Sequence, residues 1–212
     1  MEFTKSLIKG KLIKRYKRFF VDVKIDKKTV TAHCPNTGSM KGLLDQGNDV
    51  YLLKHDDPKR KLKYGLEIIK AQNNLVGVNT HLANKIVNHG LSNNLINELK
   101  NSDEIKAEVF FNKETRFDFL IKKNKQKIFL EVKNVTLFRN KNTAEFPDAI
   151  TSRGSKHLLA LIDAIKKGYK AYLLFLVQIQ NMENFKIAND IDSEYYKNYL
   201  AAKKAGVNFL AY

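Results

Sequence analysis

The sequence predicts an α+β protein in which a small β-barrel is followed by an α/β domain. Residues 7–79 read as short β-rich stretches separated by turn residues, whereas helical and strand patterns are mixed after residue 79. A chain of 212 residues has room for one ordinary domain or for two small ones, and the change of pattern favours two. We therefore expect one domain over residues 1–80 and a second over residues 81–212.

The first domain is predicted from six short β-rich segments within about seventy residues. Residues 26–28 form a hairpin-like break, and one short helical turn is expected over residues 39–44. So many short strands in so little chain are typical of a closed or partly closed barrel, for which an OB-like barrel is the leading candidate. The predicted strands cover residues 12–14, 19–25, 29–33, 49–54, 64–71 and 75–78.

The second domain is predicted to be a sheet covered by helices. Residues 151–167 are the clearest helix, because apolar residues recur at helical spacing and Gly168 ends the pattern. Residues 171–179 are a nearly continuous apolar run, as expected of a strand covered on both faces. Other helices are predicted over residues 81–88 (ending at Gly90), 95–100 and 193–204, and other strands over residues 105–111, 116–121, 127–133, 135–139 and 207–210.

The charge of the chain favours a polyanionic partner. There are 38 Lys and Arg against 22 Asp and Glu, a formal net charge of +16. Most of the cations are Lys, and the chain is rich in Asn and Ile, which an AT-rich genome would also produce. Such a bias does not explain the shortage of acids, so we expect nucleic-acid binding.

Several classes of protein are excluded by composition and patterning. No apolar run reaches the roughly 18 residues that cross a bilayer, and residues 1–10 contain Glu2, Lys5 and Lys9 instead of a signal-peptide core. We expect a cytoplasmic protein with no membrane partner. Cys34 is the only cysteine, so the chain has no internal disulfide and no cysteine-based zinc cluster.

Charged residues with catalytic potential lie on two predicted neighbouring strands. Asp118 is on the first, and Glu131 and Lys133 point to the same side of the second because side chains alternate along a strand. If Asp118 shares that side, two carboxylates and an ammonium suit a hard divalent cation and phosphodiester hydrolysis. The open alternative is a salt bridge from Glu131 to Lys133 or Arg116, with Asp118 simply exposed.

Over almost its whole length the sequence resembles the sugar fermentation stimulation proteins of bacteria and archaea. The matching segments are long and span both predicted domains. They are Arg15-Tyr-Lys-Arg-Phe19, Ala32-His-Cys-Pro-Asn-Thr-Gly-Ser-Met40, Pro58-Lys-Arg-Lys61, Gly77-Val-Asn-Thr80, Arg116-Phe-Asp-Phe119, Glu131-Val-Lys-Asn-Val-Thr136, Phe146-Pro-Asp-Ala149 and Thr151-x-Arg153-Gly-x-Lys156-His157-Leu158.

The resemblance implies an OB-like N-terminal domain and a C-terminal domain of the PD-(D/E)XK nuclease type with a mixed sheet. It also implies DNA binding and a proposed regulatory role in sugar catabolism, including maltose metabolism. Two functions follow: a metal-dependent nuclease, or a noncatalytic DNA-binding regulator that retains the nuclease fold. An RNA-processing factor is a weaker third possibility.

By the nuclease pattern, Asp118 and Glu131 are implied to bind Mg²⁺ or Mn²⁺, and Lys133 is implied to be the catalytic lysine. Glu98 is the candidate for a further metal ligand from the helix before the sheet, although it is equally well read as a solvated helix residue. Phe117, not Pro, precedes Asp118, which departs from the literal motif. Gln178 is a candidate substrate contact, with the capping of strand hydrogen bonds as the simpler reading.

Three groups of basic residues are candidate contacts to nucleic acid, although solvated loops are the usual explanation for such runs. The first group surrounds Tyr16 and Phe19, the second follows Pro58, and the third lies on the long helix beside His157. His157 is a candidate to face the cleft, with a surface position as the simpler reading. His33 and Cys34 are neighbours on a strand and point to opposite faces, so we do not expect them to form a catalytic pair. The basic candidates are Lys14, Arg15, Lys17 and Arg18; Lys59, Arg60 and Lys61; and Arg153 and Lys156.

Overall fold

The computed structural model describes residues 2–3 and 5–212, which form two compact units. The first unit extends to Leu82 and also includes Val135–Asp148 and Gln178–Lys186. The second unit contains Ala83–Asn134, Ala149–Val177 and Ile187–Tyr212.

The expected division at residue 80 is near the end of the first unit's N-terminal part, but two later segments also belong to that unit. Their backbones bond to it: Gly77 N donates to Gln178 O at 2.8 Å, and Gln180 N donates to Leu75 O at 2.9 Å. Such pairings join residues that are about a hundred positions apart in the chain, so the periodicity of apolar residues within a segment does not reveal them.

The first unit contains a six-stranded sheet in the order β3-β2-β1-β4-β5-β6. It closes on itself where β3 pairs in parallel with β5, at His33 and Gly65. The closed part has five strands, which confirms the OB-like barrel. The strands are β1 (Ile8–Tyr16), β2 (Phe20–Ile25), β3 (Lys28–His33), β4 (Asp49–Lys54), β5 (Tyr64–Ala71) and β6 (Asn74–Gly77).

Alternating apolar residues fill the barrel because successive side chains of a strand point to opposite faces. Val21 and Val23 of β2 are completely buried, as are Val50 and Leu52 of β4. The helical turn expected over residues 39–44 is wrong, because the backbone there forms turns. Met40 and Gly42 have positive φ angles of 52° and 79°, which a right-handed helix does not accommodate.

The second unit contains a five-stranded sheet in the order β14-β12-β9-β8-β7. β7, β8 and β9 pair antiparallel and β12 pairs in parallel with β14, so the sheet is mixed, as predicted. Its strands are β7 (Glu104–Phe110), β8 (Arg116–Lys123), β9 (Gln126–Val135), β12 (Lys170–Val177) and β14 (Asn208–Ala211); its helices are α1 (Ala83–Ser92), α2 (Ser152–Lys166) and α3 (Ser193–Lys204).

Helix α1 packs against the sheet of the second unit through Val87 and Leu91, which join a core that includes Phe119 and Leu130. That packing carries the helix past Gly90, where the sequence predicted its end. The helix predicted over residues 95–100 is only a single 3-10 turn, Asn97–Leu99. No helix in the described part of the chain has both the length and the apolar character that crossing a membrane requires.

A third sheet has three strands, β10 (Leu137–Asn140), β11 (Thr143–Phe146) and β13 (Asn184–Ile187), in the order β10-β11-β13. Its central strand carries Glu145, whose side chain is completely buried between Arg139 and Lys186. β11 and β13 were not predicted, because a buried acid paired with two cations gives no apolar alternation to recognise.

Candidate active site

Asp118 lies where strands β8 and β9 begin to separate, and both of its carboxylate oxygens accept hydrogen bonds. Asn84 Nδ2 on α1 donates to Oδ1, and the backbone N of Val132 donates to Oδ2, both at 2.7 Å. The carboxylate is therefore held by a neighbouring strand and a helix. The alternative had Asp118 simply exposed, which this geometry does not show, whereas the salt bridge that it proposed from Glu131 to Lys133 is present at 2.6 Å.

Glu131 and Lys133 lie on the same side of β9, as alternation predicts. Lys133 Nζ is 2.6 Å from Glu131 Oε1, and His157 Nδ1 on α2 contacts the same oxygen. Lys133 Nζ is also 3.2 Å from His157 Nδ1. All three side chains are largely buried, with exposed fractions of 4% for Glu131, 13% for Lys133 and 12% for His157.

The two carboxylates differ in their electrostatic environment. Burial and, next, the nearby charge of Glu131 raise the pKa of Asp118 to about 6, although the hydrogen bonds from Val132 and Asn84 and the charge of Lys133 act to lower it. Burial also acts to raise the pKa of Glu131, but Lys133 and His157 outweigh it and hold that pKa below its usual range. Glu131 is thus the stable anion of the pair, and Asp118 is the carboxylate that resists ionisation.

Helix α2 brings His157 to the site, and a buried acid fixes where this helix begins. Thr151 caps α2 by accepting a hydrogen bond from Gly154 N at 3.1 Å. Asp192 accepts from Thr151 N at 2.8 Å and from Tyr195 N at 2.9 Å, so it joins the starts of α2 and α3. The position of His157 therefore depends on a cap shared by two helices.

One oxygen at this site has no partner. Glu131 Oε2 is buried and makes no hydrogen bond to any described residue. An unpaired carboxylate oxygen is costly to bury unless a cation satisfies it. Across residues 2–3 and 5–212, no three His, Cys, Asp or Glu are grouped to hold a metal. A cation at this site would therefore have two protein carboxylates, those of Asp118 and Glu131, and its other ligands would be water or phosphate. That ligand set suits Mg²⁺.

Glu98 makes no hydrogen bond or ion pair with Asp118 or Glu131 among the described residues, so this geometry does not support its assignment as a further metal ligand, which stays a prediction. Its side chain is exposed, its Oε2 accepts from Tyr212 OH at 2.7 Å, and its backbone O accepts from Lys123 Nζ at 2.9 Å. Lys123 is five residues beyond Asp118 on β8, which is about 16 Å along a strand. Because residues 95–100 do not form the helix before the sheet, the neighbour of Asp118 comes from α1 and is Asn84.

Gln178 belongs to the first unit and packs against β6. Its backbone N donates to Val135 O at 3.2 Å, and its Oε1 lies 2.7 Å from where a side-chain carbon on Gly77 would be. Its backbone bonds and this close packing match the simpler reading of Gln178 as a residue that completes strand hydrogen bonding. They give no support to the substrate contact.

The basic residues predicted to contact nucleic acid differ in their exposure and in the contacts that their side chains make. Arg15 donates to the backbone carbonyls of Arg18, Asn36 and Gly38, so it orders the barrel loops. Arg60 is half-buried. The remaining candidates are exposed; these are Lys14, Lys17, Arg18, Lys59, Lys61, Arg153 and Lys156.

Sequence reasoning missed one residue of the site, Asn84, and favoured a surface position for another, His157. His157 is three residues after buried Gly154 and four before buried Leu161, spacings that place it beside the buried stripe of α2. Asn84 comes one residue after buried Ala83 on α1. Helical spacing could have indicated His157, whereas only the structure shows that Asn84 reaches Asp118.

Comparisons with known proteins match the chain along its length. Residues 13–78 match the family model described as the SfsA N-terminal OB domain, and residues 81–212 match the sugar fermentation stimulation protein RE domain. Relatives described as sugar fermentation stimulation protein homologs are 78% identical in Pelagibacter ubique and 42% identical in Maricaulis maris, each covering 100% of this chain and 91% of the relative.

A solved structure agrees with the fold. It is described as Pyrococcus furiosus SfsA in complex with Ca²⁺ and matches with a TM-score of 0.90 at 26% identity. The match covers 100% of this chain and 89% of that one. Both family models, the relatives and the matching fold show that the chain belongs to the sugar fermentation stimulation protein family.

Proposed function

We propose that this protein binds DNA and hydrolyses its phosphodiester bonds with a divalent metal, Mg²⁺ or Mn²⁺, in a site of the PD-(D/E)XK type. The observation that carries the proposal is the buried, partnerless Oε2 of Glu131 beside Asp118 and Lys133. In a module that only binds DNA, two buried acids side by side would repel a phosphate placed against them, unless a metal cation lay between.

A related protein supports the choice of cation. The Pyrococcus furiosus structure is described as a complex with Ca²⁺, which like Mg²⁺ is a hard cation that takes oxygen ligands. Asp118 and Glu131 are the residues of this chain that would hold such an ion. Once bound, the ion would polarise a phosphoryl oxygen and lower the pKa of a bound water.

The protein's own residues have separable roles in this proposal. Asn84 and the Val132 amide fix the orientation of the Asp118 carboxylate. Lys133 carries a largely buried positive charge, which stabilises the negative charge that develops on the phosphate in the transition state. His157 shares Glu131 Oε1 with Lys133, so it positions the carboxylate from α2.

Binding of DNA is supported by charge and by aromatic rings on the barrel. Lys14 lies over the ring of Tyr16, 5.5 Å from its centroid, and Tyr16 stacks on Phe20. Phe19 in the same segment is 47% exposed. Exposed rings among cations hold a strand by stacking on bases while the cations neutralise phosphates. RNA offers the same groups and is the alternative substrate.

The experiment that tests catalysis is a cleavage screen over single- and double-stranded DNA and RNA, with Mg²⁺, Mn²⁺ or chelator. We expect metal-dependent cleavage by the unaltered protein. Lys133→Ala should keep metal affinity in calorimetry but lose cleavage by at least about a hundredfold, because one preorganised cation typically contributes that much. Lys127→Ala, an exposed lysine on the same strand, is the matched control and should cleave normally.

Two outcomes of the screen would change the proposal. Metal binding without cleavage of any substrate would favour the noncatalytic regulator of sugar metabolism. Cleavage that persists in chelator would reject the metal-dependent reaction altogether.

Nucleic-acid affinity should weaken steeply as salt rises, because binding releases counterions from phosphates. Changing Lys14, Lys17 and Arg18 to Ala should reduce the slope of log affinity against log salt by about 1 for each phosphate contact removed. The matched control changes three exposed lysines of the β2–β3 hairpin, Lys24, Lys27 and Lys28, to Ala. Fluorescence anisotropy at several salt concentrations measures both. Equal slopes in the two variants would contradict the assignment of this surface.

A further inference from the structure

The first unit contains a second cluster of titratable side chains, which the proposed nuclease site does not use. His33 ends β3, His55 follows β4, and Glu67 lies on β5. Arg60 and His81 act electrostatically on His33, and Arg60 also acts on His55 and Glu67. Three imidazoles, a guanidinium and a carboxylate therefore converge on one part of the barrel.

Gly65 makes room for this cluster. It pairs with His33 where β3 meets β5. A side-chain carbon on Gly65 would lie 3.0 Å from His55 Nε2 and 3.6 Å from Glu67 Oε1. The imidazole of His55 and the carboxylate of Glu67 therefore lie over the glycine, in space that any other residue would fill.

Glu67 forms the floor of the cluster and has a fixed orientation. It is 4% exposed, and its Oε2 accepts a hydrogen bond from Asn79 Nδ2 at 2.8 Å. Asn79 is itself held by the backbone N of His81, which donates to Asn79 Oδ1 at 3.1 Å. This chain of contacts turns Glu67 Oε1 toward Gly65 and His55, where it can accept a hydrogen bond from a ligand.

Arg60 supplies the donors. Its side chain is half-buried, and the guanidinium makes no hydrogen bond or ion pair with any other residue in the described ranges, 2–3 and 5–212. Burial, and next the charge of Arg60, lower the pKa values of His33 and His55, so these imidazoles are neutral N–H donors at neutral pH. Burial raises the pKa of Glu67, while the hydrogen bond from Asn79 and the charge of Arg60 act to lower it.

These groups suit a ligand that has a phosphate beside a hydrogen-bond donor. A guanidinium with free N–H groups matches the oxygens of a phosphate, and imidazole N–H groups add further donors. Glu67 Oε1 matches a sugar hydroxyl or a base amino group. A metal cation fits this cluster poorly, because the permanent positive charge of Arg60 would repel it.

We propose that His33, His55, Arg60, His81 and Glu67 form a nucleotide-binding site on the barrel, in which Arg60 and the imidazoles bind one phosphate and Glu67 binds the attached nucleoside. The inference deepens the proposed function, because it assigns the place where the barrel holds one nucleotide of the bound strand. The proposed site does more than attract phosphate by charge, because its groups donate hydrogen bonds in a fixed orientation. The neighbouring exposed lysines add positive charge but have no fixed orientation.

The first test compares two adjacent cations. Arg60→Gln should weaken binding of a short single-stranded oligonucleotide by about tenfold or more, the usual effect of losing charge-assisted hydrogen bonds to a phosphate. Lys61→Gln removes the same charge from an exposed neighbour and should weaken binding by about twofold. Fluorescence anisotropy at one fixed salt concentration measures both. Equal losses in the two variants would overturn the proposal while leaving nucleic-acid binding itself intact.

The second test does not depend on the polymer. The imidazole resonances of His33 and His55 are followed by NMR during titration with a mononucleotide or with inorganic phosphate. We expect both ligands to shift these resonances, the mononucleotide at lower concentration because it also reaches Glu67. Glu67→Gln should reduce the difference between the two ligands, and His89, an exposed histidine of the second unit, is the internal control. No shift of His33 and His55 with either ligand would overturn the site, even if the protein binds and cleaves DNA.

Discussion

Glu131→Gln is expected to lower the free energy of unfolding by about 3 kcal/mol and to abolish binding of Mg²⁺ or Mn²⁺. The glutamate is the buried partner of Lys133 and His157, and removing one member of a buried ion pair leaves the other charge desolvated and unpaired. The amide keeps the shape of the side chain but lacks the charge that a hard cation requires. The Glu131→Gln protein should therefore lose both stability and affinity for the metal.

Urea unfolding in chelator and calorimetry with Mg²⁺ measure the two effects. If the stability loss comes from the stranded cation, the double variant Glu131→Gln/Lys133→Met should recover much of it without recovering metal binding. Asp163→Asn is the control, because it breaks an exposed ion pair with Lys167 and should change stability by less than about 0.5 kcal/mol. A Glu131→Gln protein with unaltered metal affinity would contradict the nuclease site.

The fold and the centre of the site were predictable because both depend on local periodicity. Alternation along β9 places Glu131 and Lys133 on one side, and their side chains meet at 2.6 Å. Six short strands indicated the barrel because inward positions alternate along each strand, as Val21 and Val23 show. These signals lie within a few residues of one another in the chain.

What the sequence did not predict depends on pairings between distant segments. Gln178 ends the apolar run of β12, yet its backbone bonds to Gly77, about a hundred residues earlier in the chain. Glu98 had the expected residue type and position before the sheet, but its segment makes one 3-10 turn and its carboxylate meets Tyr212. Asn84, which carries no charge and matches no motif, contacts Asp118 instead. Residue type alone therefore does not identify the side chain that contacts Asp118.

Asp118→Asn should have the opposite effect on stability from Glu131→Gln, although both changes should abolish metal binding. Burial raises the pKa of Asp118 from 3.8 to about 6, so at pH 7.5 the folded protein holds an ion in an environment that disfavours it. A shift of about two pH units corresponds to about 3 kcal/mol. The asparagine avoids this penalty, but its amide nitrogen cannot accept a hydrogen bond, so either the Asn84 or the Val132 donor is left unpaired. That loss lowers the free energy of unfolding by about 1 kcal/mol or more and reduces the gain.

The sign of the pH dependence follows from the direction of the shift. A carboxyl whose pKa is raised by folding binds more protons in the folded state, so its contribution to stability falls as pH rises from about 4 to about 6. Asp118→Asn should remove that decline. At pH 7.5 in chelator, the variant should have a free energy of unfolding about 1–2 kcal/mol higher than that of the unaltered protein, and therefore a higher urea midpoint.

Urea unfolding with and without Mg²⁺ completes the test. Mg²⁺ should raise the unfolding midpoint of the unaltered protein, because a ligand that binds only the folded state stabilises it, and should leave the Asp118→Asn midpoint unchanged. A variant that is less stable than the unaltered protein in chelator would show that the carboxylate serves the fold through Asn84 and Val132. A variant that is more stable in chelator and insensitive to Mg²⁺ would show that the ionised Asp118 destabilises the metal-free fold and is retained for the cation.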